Sequence, residues 1–264
     1  MEEKIRLIVS SAVSAWAAAF EQRHIDEFEN PDGVINSKVH NIFIAALGDE
    51  IRFFSALSRS LDSSLGNLIE SIAISIAKLN FDVSQEVEGV IYEEQTSKIA
   101  SLLERYKNSA DSHKPSVDHY QDFVMQGTSK KHSKRHDSDY VLKHKETGEY
   151  SLIELKLGGD LDNKKARSEK EALLEQYCIL ANRLGTSQNI RIYFATGYNR
   201  YGEGNPWKQG RVLQFFAKEE LLVSSDFWNF VSNSKNGYAI VLDEYQKNAH
   251  LITRSIENVR NVYL

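Results

Sequence analysis

The stretch Asp137-Ser-Asp139-Tyr-Val-Leu-Lys-His-Lys-Glu-Thr-Gly-Glu-Tyr-Ser-Leu-Ile-Glu154-Leu-Lys156 sets the reading of the chain. Two strand-like runs, Asp139 to Lys143 and Ser151 to Leu157, flank Glu146-Thr-Gly-Glu149, a turn signal, and together predict a hairpin. Alternate residues of a strand share a face. Glu154 and Lys156 therefore point one way, and Ile153, Leu155 and Leu157 the other. The apolar neighbours imply a buried strand, so two charged residues near its end need partners. A neighbouring strand that carries Asp139 brings a second carboxylate beside Glu154, with Asp137 as the alternative. Two carboxylates and a lysine at a strand end suit phosphodiester hydrolysis. Carboxylates hold Mg²⁺, which prefers oxygen ligands and keeps several waters. The metal polarises phosphate and acidifies a bound water, while lysine positions or deprotonates that water, or neutralises developing charge.

Gly158-Gly159 ends the second strand, and Asn163 to Leu184 reads as a long helix closed by Gly185. Asp162 or Asn163 is placed to cap it. Lys164, Lys165 and Arg167 fall in its first turn, where the helix dipole disfavours cations. A nearby phosphate reconciles the two, since helix N-termini and basic side chains both attract it. Asn189 to Ala195 reads as a further strand. After it comes a polar, aromatic loop, 197–210, and Arg200, Lys208 and Arg211 are its candidate DNA contacts, because such side chains read guanine edges. A basic stretch, Thr128 to His136, reads as a loop ahead of the hairpin.

Upstream, Ile5 to Phe28 is alanine-rich and helical, closed by Asn30-Pro-Asp-Gly33. Ser37 to about Ser60 is a second helical stretch. A third starts near Ser63 or Ser64 and carries Leu65, Leu68, Ile69, Ile72, Ile76 and Leu79 at helical spacing. Glu93 to Tyr106 is a fourth, followed by a polar break at Ser109 to Pro115. The C-terminal part reads as helical around Glu219, Phe227, Tyr238 to Gln246 and Ile252 to Val259. The expected fold is α/β: a central mixed β-sheet flanked by helices, with a helical N-terminal region and C-terminal helices. It is expected as one domain over 1–264, with a mainly helical part at 1–110, a catalytic core at 137–196, and a loop with helices at 197–264.

Composition narrows the class. A chain of 264 residues suffices for a full core, and 41% hydrophobic with 26% charged residues is ordinary for a globular protein. Its single cysteine, Cys178, excludes a disulfide framework and a cysteine-based zinc cluster. No apolar run reaches the roughly 18–20 residues of a membrane span. With no signal peptide read at the N-terminus, a reducing, cytoplasmic setting is expected. A net charge of −5 argues against a protein that coats nucleic acid indiscriminately, and leaves room for local basic patches. Histidines 113, 119, 132, 136 and 144 show no credible metal-ligand pattern. There is no Walker A loop or dinucleotide fingerprint.

Asp139, fourteen intervening residues, then Glu154-Leu155-Lys156 resembles the PD-(D/E)XK nuclease signature, with Ser138 where proline is usual. The resemblance implies a restriction-endonuclease-like core, with Asp139 and Glu154 as Mg²⁺ ligands and Lys156 as the catalytic lysine. Gly66-Asn-Leu-Ile-Glu70 is similar to the helix that often supplies a further acidic ligand in this family. Glu70 reads equally as that ligand or as a surface carboxylate. Leu174-Glu-Gln176-Tyr177 resembles the family's Gln-Tyr, with Gln176 and Asp137 as supporting residues and Tyr177 in the core. Asp226-Phe-Trp-Asn-Phe230 with Gly237-Tyr is similar to type II restriction endonucleases of the TdeIII-like group. A type II restriction endonuclease implies cleavage of double-stranded DNA at a short symmetric site, a homodimer, and a companion DNA methyltransferase. The alternatives are a repair nuclease acting on structured DNA and a non-catalytic DNA-binding protein on the same scaffold.

Overall fold

The computed structural model describes residues 1–108, 114–123, 130–159 and 161–264, without the side chain of residue 163. Most of the polar break after residue 108, with His113, and the first two residues of the basic stretch, 128–129, lie outside the described residues. Two compact units emerge: residues 1–76 with 236–264, and residues 77–235.

The first unit is helical. Helix α1 (Glu2–Asp26) has acids in its first turn and Arg23 and His24 in its last, which suits the helix dipole. Its buried side is a four-residue ladder of Ile5, Val9, Val13, Ala17, Phe20 and His24. A 3₁₀ turn (Asn36–His40) and the short α2 (Ile42–Ala45) lead to α3 (Asp49–Ala77). The expected helix starts at Ser37 and at Ser63 or Ser64 are thus corrected. Ser37 lies in the 3₁₀ turn, and α3 runs uninterrupted through Ser63 and Ser64, because no proline breaks it. The Ser64 carbonyl instead accepts from Trp16 Nε1 at 3.0 Å. Helix α8 (Gly237–Tyr263) is a single helix where two were expected, and it packs on α1, with Ser255 Oγ donating to the Ala17 carbonyl at 2.9 Å. Phe20, Ile35, Phe53, Ala56, Leu57 and Val259 form the core of this unit.

The second unit is built on a five-stranded mixed sheet in the order β1-β2-β3-β4-β5. Strands β1 (Phe81–Tyr92), β2 (Lys131–His144) and β3 (Tyr150–Leu155) are antiparallel neighbours. Strands β3 and β4 (Ile190–Thr196) are parallel, joined through α5 (Asn163–Leu184), and β5 (Leu221–Val223) extends the parallel side. The basic stretch is strand rather than loop from Lys131 onward, and β1 and β5 join the strands expected from the sequence.

The ladder between β1 and β2 slips between Ser84 and Glu86, whose partners are Val141 and Asp137. Residues 138–140 of β2 therefore face a single residue, Gln85. Such bulges reset alternation and re-aim side chains. Here both the odd-numbered Val141 and the even-numbered Lys134 and His136 turn toward α5: Val141 joins its core, and the other two reach Glu175 on that helix.

Helix α5 is capped by Asp162, whose Oδ1 accepts from Lys165 N–H at 2.8 Å, and ends at Gly185 in the left-handed region (φ +70°). Leu173 to Ala181 are all buried, because the helix lies between the sheet and α4 (Glu93–Lys107). On the opposite sheet face, α7 (Ser225–Ser232) sets Phe227 edge-on to Tyr140 and Phe230 against Phe81 and Tyr193. Between β4 and α7, the 3₁₀ turn Lys218–Glu220 follows the short α6 (Gly210–Leu213).

Candidate active site

The β2–β3 ladder ends at Tyr140 paired with Ile153, and Asp139 and Glu154 are the next residues on the two strands. Leu152, two residues before Glu154, is in the core under α5, so Glu154 and Lys156 point to that same side. The bulge in β2 places Asp139 at the edge of the group. Asp139 Oδ2 accepts the Leu155 backbone N–H at 2.7 Å, which ties it to the strand that carries Glu154. The Lys156 ammonium bonds the Glu154 carboxylate, and it also lies 3.5 Å from Glu169 Oε1 on α5. Lys156 is held along β4 by its backbone N–H, which donates to the Ala195 carbonyl at 3.0 Å.

The electrostatics of this group are those of acids crowded away from water. Burial pushes the Glu154 carboxyl up, and Asp139 beside it adds to that; Lys156 offsets only part, leaving it at about 7. Asp139 is likewise pushed up by burial, against the Leu155 N–H and Lys156, with Glu169 adding repulsion. Burial works against the Lys156 ammonium, yet Glu154, Glu169 and Asp139 overcome it and hold the lysine above its ordinary range. Lys156 is therefore a cation at neutral pH, suited to meeting developing negative charge rather than taking up a proton.

The exit from β3 is shaped by glycine. Gly159 has φ +64°, and a Cβ there would stand 2.4 Å from Trp207 Cη2 and 2.7 Å from Thr196 Cγ2. A Cβ on Gly158 would meet the Tyr198 hydroxyl at 2.6 Å. The Gly-Gly pair thus lets the loop after β4 close on the backbone next to Lys156.

That loop gathers the expected basic residues. Arg200, Lys208 and Arg211 line one open cleft with Tyr201, Gln209 and Gln214. The Asp162 carboxyl is held low first by the Lys165 N–H and also by the charges of Lys165 and Arg211, so the cleft adjoins the start of α5. Lys164 and Lys165 are exposed there. Arg167 turns back to Glu104 on α4, at 3.2 Å.

Asp137 is exposed on β2, paired across the ladder with Glu86. Glu70 is half-buried on α3 in the helical unit. Gln176 is buried with Oε1 unpartnered among the described residues, and it sits two helical turns, roughly 10 Å, beyond Glu169. Tyr177 is in the core, edge-on to Tyr120. No three His, Cys, Asp or Glu side chains among the described residues are grouped to hold a metal.

Two ionic groups on α5 were not anticipated. Glu169 reaches Lys156, and its only advance signal was that a helix following the strand must start beside the strand's end. Lys170, next to it, is completely buried and bonds Glu220, which also accepts from Tyr120 OH at 2.5 Å and the Ala217 N–H at 2.7 Å. Burial lowers the Lys170 ammonium, and Glu220 opposes that. The rings of Tyr120 and Phe216 lie 4.9 and 5.0 Å from it. A mixed sheet with helices on both faces, its charged group where the end of β3 meets the bulge of β2, is a restriction-endonuclease-like α/β fold.

The model of the family described as type II restriction endonuclease, HinfI, matches residues 1–249. The chain belongs to that family, and with it to the enzymes that cleave DNA in restriction systems. No curated protein and no solved structure matches the chain. The matching family is HinfI, and the match says nothing of a TdeIII-like subgroup.

Proposed function

We propose that the chain cleaves double-stranded DNA at a short specific site by Mg²⁺-dependent hydrolysis, with Asp139, Glu154 and Lys156 as the catalytic group of a PD-(D/E)XK nuclease. The observation that carries this reading is the convergence of two carboxylates from adjacent strands, both pushed toward protonation, beside a lysine held charged. This donor set fits Mg²⁺, which is commonly held by one or two carboxylates and otherwise by water and phosphate oxygens. Bound there, the ion supplies Lewis-acid polarisation of the phosphate and an acidified water. Asp139 and Glu154 hold it, and the Leu155 N–H keeps Asp139 oriented. Lys156 then stabilises negative charge on the phosphate, and Glu169 restrains its ammonium. Glu70 is the candidate for a further acidic ligand, tested by Glu70→Gln.

The cleft of Arg200, Lys208 and Arg211 and the exposed Lys164 and Lys165 supply phosphate and base contacts; Arg167 joins them if it leaves Glu104. A two-fold dimer suits a symmetric site, and a companion methyltransferase protects host DNA. The test is incubation of the purified chain with plasmid DNA and Mg²⁺. Discrete fragments that vanish with EDTA are expected. A smear, or cleavage confined to branched oligonucleotides, favours a structure-directed nuclease instead. No cleavage of any substrate overturns the catalytic reading.

A further inference from the structure

Resting on that reading, we infer that the segment from Val39 to Phe54 in the helical unit is the surface through which two copies of this chain associate. Val39, Ile42, Phe43, Leu47, Ile51 and Phe54 are all exposed, Ile42 to 70%, Phe43 to 80% and Leu47 to 64%. They run through the 3₁₀ turn, α2 and the first turns of α3. Val39 is in the 3₁₀ turn, Ile42 and Phe43 open α2, Leu47 lies in the turn that follows, and Ile51 and Phe54, three residues apart, share one face of α3. Phe53, between the last two, turns inward with Ala56 and Leu57, so the segment already has its own buried side. The outward apolar side is surplus to folding.

Area selects the occupant. Together the six residues expose roughly 650 Å², near the ~800 Å² each partner buries in a stable complex. Charge gives DNA no foothold on this face: Asp49 and Glu50 lie among the apolar residues, and Arg52 is paired to Asp49 at 3.0 Å. Charge also suits self-pairing. Lys38 stands at the start of the segment and Glu50 in its second half, so a two-fold axis through its middle sets the basic end of one copy against the acidic half of the other.

The test is sedimentation of the full chain over a dilution series, with wild type and Phe43→Glu, each checked by circular dichroism. A wild-type dimer whose dissociation constant rises by about 100-fold or more in the variant is expected for a central interface side chain. Phe43→Cys gives a second readout that does not depend on the folding of the glutamate variant. It should form a covalent dimer on oxidation, whereas wild type, whose only cysteine is buried, should not. A monomer at every concentration overturns the inference. So does a dimer untouched by Phe43→Glu and without the cross-link, including one formed only when duplex is added. Cleavage is scored separately. Loss of self-association should leave nicking of supercoiled plasmid and reduce concerted double-strand breaks, whereas failure of the nuclease reading abolishes both and leaves sedimentation unchanged.

Discussion

Replacing Glu154 by glutamine should stabilise the metal-free protein while abolishing its cleavage. A carboxyl of ordinary value 4.5 is raised to about 7 by burial and by Asp139. The folded state therefore binds this proton more tightly than the unfolded state does. The penalty is absent below pH 4.5, grows as pH rises, and is complete above about 7. The difference corresponds to about 3 kcal/mol of destabilisation at pH 8. Glutamine keeps the shape and never ionises, so Glu154→Gln should be more stable by up to about 3 kcal/mol at pH 8 and nearly equal to wild type at pH 4.5. For a chain of this size, that is a rise in Tm of roughly 6 °C. Thermal unfolding in EDTA at the two pH values measures it. Added Mg²⁺ should stabilise wild type more than the variant, because the ion relieves repulsion that the variant lacks. An equal or lower Tm for Glu154→Gln at pH 8, or a gain larger at pH 4.5, refutes the electrostatic account of the site.

Three further outcomes follow from particular contacts. Lys170→Met strands a buried Glu220 carboxylate and should cost about 3–5 kcal/mol by denaturant unfolding, whereas Lys170→Met with Glu220→Leu should recover most of it; equal losses in both would show that the pair is not coupled. Gly159→Ala forces a Cβ against Trp207 at positive φ and should lower stability by about 1–3 kcal/mol. Activity should fall with it as the Lys156 backbone shifts, and an unchanged Tm would count against the close packing of that turn. Arg211→Ala should weaken duplex binding across sequences and reduce the slope of log Kd against log salt by about 1 if the residue contacts phosphate. A change confined to one base position would make it a base-reading residue instead.

The hairpin and its two carboxylates were legible because two strand-like runs flank Glu146-Thr-Gly-Glu149 and because Glu-x-Lys leaves both charges on one face. Helix α5 was legible from its cap at Asp162 and its stop at Gly185. Strand β1 was not. Phe81, Val83, Val87 and Ile91 keep one phase in the sequence, yet the slip between Ser84 and Glu86 turns Phe81 toward Phe230 on α7 and Val87 and Ile91 into the core under α5. The basic run 131–136 has no apolar residue to mark a strand, since its inward members are the half-buried Lys134 and His136, which reach Glu175 on α5. Burial pushes the Glu175 carboxyl up, and the contacts from His136 and Lys134 more than reverse it. Glu169 and the Lys170–Glu220 pair depend on contacts 13 and 50 residues apart in sequence, which no local pattern encodes. Strand β5, three residues long, is created by pairing with β4 rather than by its own composition.

The most direct trial of the catalytic assignment is the single-turnover rate of plasmid cleavage by Lys156→Ala, with duplex binding measured on the same preparation. Loss of one preorganised charge at the reacting phosphate should slow cleavage by about 10²-fold or more while binding stays within a few-fold of wild type. Cleavage at the wild-type rate by this variant would contradict the account and move the chemistry to another part of the chain.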